Sequence, residues 1–233
     1  MVKKRVLPYA FSLVLVASGC TSTVSGSPVV GSAAVAPSST AAGEPMTCRF
    51  EVIHDGPMRR IGTPPDKGFR TSGKSVTRFE TSLGRVDLEL DAASAPCSVH
   101  NFRHLVRQQV YKSGSCHRLT LEEIFVLQCG DPTDTGQGTA GYQFADPTAV
   151  TAGYARGVVA MANSGPGTNS SQFFIVHEDS PEVLPDYPII GRVLRGMDVI
   201  DQVVAGGVVA DTGLGPSDGK PAKLIVFLTV EPA

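Results

Sequence analysis

The sequence predicts a mainly β domain, a closed antiparallel barrel of eight short strands capped by two α-helices. Three observations point there. The folded part of the chain breaks into short apolar or alternating segments separated by Gly, Pro and Asp turns. Only two stretches carry a helical period. Composition agrees: 25 Gly, 17 Pro and no Trp favour strands and turns over a helical bundle, while 42% hydrophobic residues can fill one core. Eight short strands lose their exposed edges by closing on themselves, and a barrel of that size is filled by its own side chains. A ligand must then bind outside it.

The elements follow in order. VTRFETSLGRVDLELD, residues 76–91, alternates through Val86, Leu88 and Leu90 after a turn at Gly84, the pattern of a hairpin with one buried face. Past Pro96, CSVHNFRHLVRQQVY sets Val99, Phe102, Val106 and Val110 at helical spacing before Gly114. SCHRLT and IFVLQ are two short strands, followed by a long loop through GDPTDTGQGTAGYQFADP. RGVVAMA, SQFFIV and IIGRV are three more strands. Residues 197–204 form a second helix ended by Gly206 and Gly207, and LIVFLTV is the last strand.

The N-terminal part has a different character. MVKKRVLPYAFSLVLVASGC opens with Lys3, Lys4 and Arg5 and continues as a short apolar run, the form of an export signal and too short to span a bilayer comfortably. Its end, Ala17-Ser18-Gly19-Cys20, resembles the lipobox of bacterial lipoproteins, with Ala17 where a larger aliphatic residue is usual. Residues 1–20 are therefore expected to be a lipoprotein-type signal and Cys20 a lipid anchor on the extracytoplasmic face of a bacterial membrane; the alternative is cleavage nearby and a secreted soluble product. Residues 21–47, rich in Ser, Ala and Pro without periodicity, are a disordered tether. Residues 48–75 form an extension whose role the sequence does not disclose, and 76–233 the domain.

Setting Cys20 aside leaves Cys48, Cys97, Cys116 and Cys129, an even number in an exported chain, with three possible pairings. If Arg118 and Gln128 share a face of a hairpin, Cys116 shares it and Cys129 points away, so a bridge between these two requires a bulge. A formal net charge of −2 and the lack of a Lys/Arg stripe give no reason to expect nucleic acid. GFRTSGKS, residues 68–75, satisfies the P-loop expression but precedes strand-like sequence instead of a helix. His100 and His104 have the spacing of helical metal ligands, yet both lie off the apolar stripe and read as a solvated flank. Asn169-Ser170-Ser171 is a glycosylation sequon in form only, and Cys129 near His117 lacks an orienting third residue for thiol catalysis.

One stretch asks for a site. MANSGPGTNSSQFFI, residues 161–175, runs through small and polar residues straight into a bulky apolar strand, which sets compact backbone beside large side chains as a groove requires. Together with the HNF of the first helix and HRLTLEEIFVLQCGD, it resembles the cyclophilins, peptidyl-prolyl cis-trans isomerases built as an eight-stranded barrel with two helices. The likeness covers residues 76–233.

The resemblance implies a catalytic Arg118. It implies a proline pocket of Phe125, Val126, Phe174 and Leu184, with Tyr187 where many members carry His. Peptide-positioning residues would be Gln128, Gly136, Ala162, Asn163, Ser164 and Gln172. Partners would be proline-containing segments of exported proteins, the expected state is a monomer, and neither cofactor nor metal is implied. Two departures stand out: residues 121–124, LEEI, replace a Pro-Gly turn with a longer acidic connection, and Val183 stands near the position of a Trp that binds cyclosporin, so weaker drug binding is expected. Besides the isomerase, two other classes are open: a catalytically weak proline-peptide binding module or holdase, and a structural lipoprotein whose barrel is a spacer.

Overall fold

The computed structural model describes residues 46–151, 153–181, 183, 186–209 and 215–233; the expected signal, Cys20, the tether through residue 45 and Leu184 lie outside them. The elements are β1 (Phe50–Val52), β2 (Lys74–Thr81), β3 (Gly84–Asp91), α1 (Pro96–Arg107), β4 (Cys116–Thr120), β5 (Val126–Cys129), β6 (Tyr142–Phe144), β7 (Val158–Met161), β8 (Phe173–Val176), β9 (Ile189–Arg195), α2 (Met197–Val204), β10 (Asp218–Gly219) and β11 (Phe227–Pro232). Nine strands make one curled antiparallel sheet in the order β10-β4-β5-β8-β7-β9-β3-β2-β11, and β1 pairs with β6 in a second, two-stranded sheet.

The expected eight-stranded closed barrel differs from this sheet in count and at its seam. A ninth strand, β10, pairs Asp218 with Thr120 and Gly219 with Leu119. Between β11 and the chain before β4 there is a short contact in place of a full ladder: the Ser113 N–H donates to Phe227 O (2.8 Å), the Phe227 N–H to Gly114 O (2.9 Å), and Ser115 bridges Val226. Strands of two or three residues hold barely one period of alternation, so β1, β6 and β10 leave no signal in the sequence.

The inner face is the main core. Phe79, Phe102, Tyr111, Phe173 and Phe227 meet there, with Phe102 and Tyr111 each edge-on to Phe173 at 5.3 and 5.5 Å. Full burial of a side chain of this size stabilises by about 2–3 kcal/mol. α1 closes one end and buries Val99, Phe102, Leu105 and Val106. It stops at Arg107, earlier than its apolar period, because Gln109 turns to φ 55°; Val110 still reaches the core from that turn. Its N-cap, Ala95, offers no side-chain acceptor, and Asp146 substitutes from a distant loop by accepting the Ser98 N–H at 2.7 Å.

Both disulfides are formed, Cys48–Cys97 and Cys116–Cys129. The second satisfies the parity condition through a bulge: Cys116 pairs with Cys129 and Arg118 with Gln128, so His117 is the extra residue of β4. Both sulfurs therefore turn into the core while Arg118 and Gln128 face outward. The first disulfide ties the extension to α1. Far from solvated, His104 is buried under that extension, where its Nε2–H donates to Gly62 O (2.6 Å), and His100 donates to Pro65 O (2.8 Å) beneath the stacked ring of Phe69. Against carbonyls only the protonated ring nitrogen can bond, which settles both tautomers.

Candidate active site

Four neighbouring strands set one row of side chains on the outer face. Arg118 on β4 lies opposite Gln128 on β5, Gln128 opposite Phe174 on β8, and Phe174 opposite Ala160 on β7. Directly opposed residues share a face, so one row runs from cation through amide to aromatic ring. Behind it lies a second apolar cluster, separate from the core: Val126, Tyr154, Ala160, Phe174, Val176 and Val183, with Ile124, Ala162 and Tyr187 packed against it.

Arg118 is held as a fork. Its Nε–H and one Nη2–H donate to the two carboxylate oxygens of Asp218 at 2.8 and 2.7 Å, and Nη1 donates to Gln128 Oε1 at 3.4 Å. A guanidinium has five N–H bonds, so two remain for a ligand. The bond to Asp218 raises its pKa above the already high ordinary value, and the group keeps its charge at any working pH. Asp218 stands on the two-residue β10, which only the strand pairing with Thr120 brings here, and no motif in the sequence marks it.

A relay of amides continues from the fork. Gln128 Nε2 donates to Gln172 Oε1 (2.7 Å), and Gln172 Nε2 donates to the carbonyls of Gly138 (2.9 Å) and Gly136 (3.2 Å). Each amide is oriented by its partners, because the guanidinium and the carbonyls each accept only one assignment. The loop carrying those carbonyls is organised by Asp131, whose carboxylate accepts the N–H groups of Thr133, Thr135 and Gly138 at 2.7, 3.1 and 2.9 Å. These bonds hold its pKa below the ordinary carboxylate value despite burial. Gly138 is required there, since a Cβ would lie 1.9 Å from Asp131 Oδ1.

Two open grooves of about 400 Å³ each flank the relay and share Gln128, Gly136 and Gln137. One runs between residues 137–139 and 162–164 and has Gln172 at its base; the other lies beside Arg118 and His117. Ala162, Asn163, Ser164 and Gly136 thus line the first groove. The Asn163 side chain is spent on protein partners, accepting the Gly165 N–H (3.1 Å) in its own loop and donating to Asp186 O (3.1 Å) in another, so a ligand meets the backbone and not the amide. Asn169, the sequon residue, is buried and donates to Phe144 O.

Val126, Phe174 and Tyr187 come together in this cluster, Tyr187 standing edge-on to Phe174 at 5.5 Å. Phe125 does not join them: its ring is edge-on to His177 at 5.9 Å, and Ile124 takes the place in the cluster. Tyr154 is a further residue the sequence does not flag; its hydroxyl donates to Tyr187 O (2.9 Å) and accepts the Tyr187 N–H (3.1 Å), fixing that aromatic wall.

A fixed cation with two unspent donors, an apolar cluster beside it and a groove edged by backbone carbonyls can bind an extended peptide with a small apolar ring at its centre. Comparison with known proteins follows the same lines. The family model described as "Cyclophilin type peptidyl-prolyl cis-trans isomerase/CLD" matches residues 76–229. A Mycobacterium tuberculosis protein named "Probable peptidyl-prolyl cis-trans isomerase B" is 35% identical over 198 residues, covering 78% of this chain and 63% of the relative. A Mycobacterium leprae protein of the same name is 35% identical over 192 residues, covering 76% and 63%. The chain thus spans under two thirds of the length of these relatives. Among solved structures, a Cryptosporidium parvum cyclophilin type peptidyl-prolyl cis-trans isomerase superposes with a TM-score of 0.60 at 27% identity, covering 69% of this chain and 98% of that one. The same protein in the presence of the dipeptide Ala-Pro gives 0.58 at 27% identity, covering 68% and 98%.

Proposed function

The chain belongs to the cyclophilin-type peptidyl-prolyl cis-trans isomerases, and on that premise we propose that it accelerates cis-trans rotation of the peptide bond before proline. No covalent bond breaks in this reaction. The barrier, about 18–20 kcal/mol, is the lost amide resonance. At the twisted state the proline nitrogen turns pyramidal and carries a lone pair that exists nowhere else along the path. A donor fixed at that point stabilises the transition state and not the ground state. The observation that carries this reading is the Arg118 fork, pinned by Asp218 and Gln128 and still holding two N–H bonds, in one cross-strand row with Phe174 of the apolar cluster.

In this mechanism Val126, Phe174 and Tyr187 grip the pyrrolidine ring. The backbone of Ala162 and Asn163 and the Gln172 amide restrain the chain on the other side, so rotation is confined to one bond. Exchange spectroscopy on an Ala-Pro tetrapeptide tests it: faster cis-trans exchange that disappears in Arg118→Ala is expected. Peptide binding without faster exchange would favour the binding module, and neither would refute both.

The wider setting is also proposed. The basic start, the short apolar run and Cys20 support a lipid-anchored protein outside the cytoplasm, and two disulfides suit an oxidising compartment. Its clients would then be exported proteins during folding, met by a monomer at the end of the 21–47 tether. The bonds between residues 113–115 and 226–227 support treating the sheet as a barrel closed at that seam.

A further inference from the structure

Resting on the isomerase reading, we propose that residues 48–66 are a positioning segment of the active groove: a strap that holds the carbonyl wall where Gln172 can bond it. The wall is a glycine-rich loop, GDPTDTGQGTAG, whose glycines give its backbone extra conformational freedom to lose on ordering. Asp131 restrains it from within. The strap restrains it from without: the Arg59 N–H donates to Thr139 O (3.0 Å), the Thr139 N–H to Pro57 O (3.2 Å), and the Ile61 N–H to Ala140 O (2.9 Å). Thr139 itself lines the groove opposite Ser164.

The strap is in turn fixed at points that do not touch the groove. Cys48 is bonded to Cys97 of α1, β1 pairs with β6 through Phe50 and Phe144, and His104 reaches Gly62. A continuous set of bonds therefore runs from α1 through the strap to Thr139, from the loop carbonyls at Gly136 and Gly138 to Gln172, and by Gln128 to Arg118. Loosening the strap lets the wall drift from Gln172, and the effect falls on peptides long enough to lie along it. A short ligand that reaches only Arg118 and the apolar cluster does not feel it.

The test uses the full oxidised chain and two variants, the double substitution Cys48→Ala/Cys97→Ala and the single Arg59→Pro, which keeps both disulfides and deletes the N–H given to Thr139. KM and kcat are measured by exchange spectroscopy on an Ala-Pro tetrapeptide and on a peptide of about ten residues with the same centre, alongside hydrogen exchange at the Thr139 amide. Both variants should raise KM for the long peptide about fivefold and leave the tetrapeptide within about twofold, as coupling of this kind commonly amounts to. Faster Thr139 exchange with an unchanged long-to-short ratio overturns the proposal. So does an equal loss on both peptides, which makes the strap a general brace of the fold. If one variant does not fold, the other decides. If the native chain turns over neither peptide, the isomerase reading fails instead, and the ratio of the two dissociation constants then decides the role of the strap.

Discussion

The inner and outer faces of β4, β5, β7 and β8 share a backbone and differ in everything their side chains do. Phe173 and Phe174 are consecutive, and both are buried. Phe173 points inward into a core formed along the whole sheet and α1, with aromatic neighbours Phe79, Phe102 and Tyr111. Phe174 points outward, where its cover comes from loops, through Tyr154, Val183 and Tyr187. A two-residue period thus separates stability from binding by a single peptide unit. Damage to one face should leave the other readable.

The largest expected effect breaks the inner side. Phe173→Ala should cost about 3–5 kcal/mol in denaturant unfolding, enough to leave the domain marginal. Nearly as large in free energy but opposite in kind, Arg118→Ala should lower kcat/KM about 10²–10³-fold, the loss typical of a preorganised transition-state donor, with Tm almost unmoved. A comparable fall in Tm would mean that the outer row supports the fold and would undo the contrast. Phe174→Ala should divide its cost, about 1–2 kcal/mol of stability and roughly a tenfold rise in KM, because its cover comes from loop side chains that can repack over the gap more readily than the core can. Smaller still, Asp218→Asn leaves one acceptor for the fork in place of two and should reduce kcat about tenfold with KM held. Equal losses in kcat and affinity would make Asp218 part of the binding surface instead of a positioning residue.

The smallest effect is a pH slope. Burial is the leading cause that holds His104 and His177 below the ordinary histidine pKa, so the folded state prefers the neutral ring. The unfolded chain then takes up protons first as pH falls. Their contribution to stability is complete above about pH 6.5 and is lost as pH drops toward the folded values. Thermal melts between pH 7.5 and 5 should show a decline of a few degrees. His104→Gln, which can still donate to Gly62 O, should flatten it. An unchanged slope would remove His104 from the account.

The elements readable from sequence are those with at least two turns of their period: the β2–β3 hairpin, both helices, and the apolar strands that make up the two faces. The row Arg118, Gln128, Phe174 was readable for a similar reason, since each sits in a dense local motif. What was not readable depends on pairing across long stretches of chain. Asp218 is 100 residues from Arg118 and lies on a strand too short for any pattern. The bulge at His117 decides the Cys116–Cys129 bridge, and nothing in SCHRLT announces it. The Phe125 ring lies against His177 and outside the apolar cluster, a placement that the motif does not disclose, since position in a motif says which residues are near and not which way each side chain faces.

The pairing of Arg118 with Asp218 has a consequence for which proteins this site can serve. A guanidinium that arrives with its counter-ion in place presents donors without a net monopole, so acidic and basic clients are drawn to it alike and added salt has little to screen. Selectivity by charge has to be exercised away from the reacting bond, and turnover should be nearly indifferent to ionic strength.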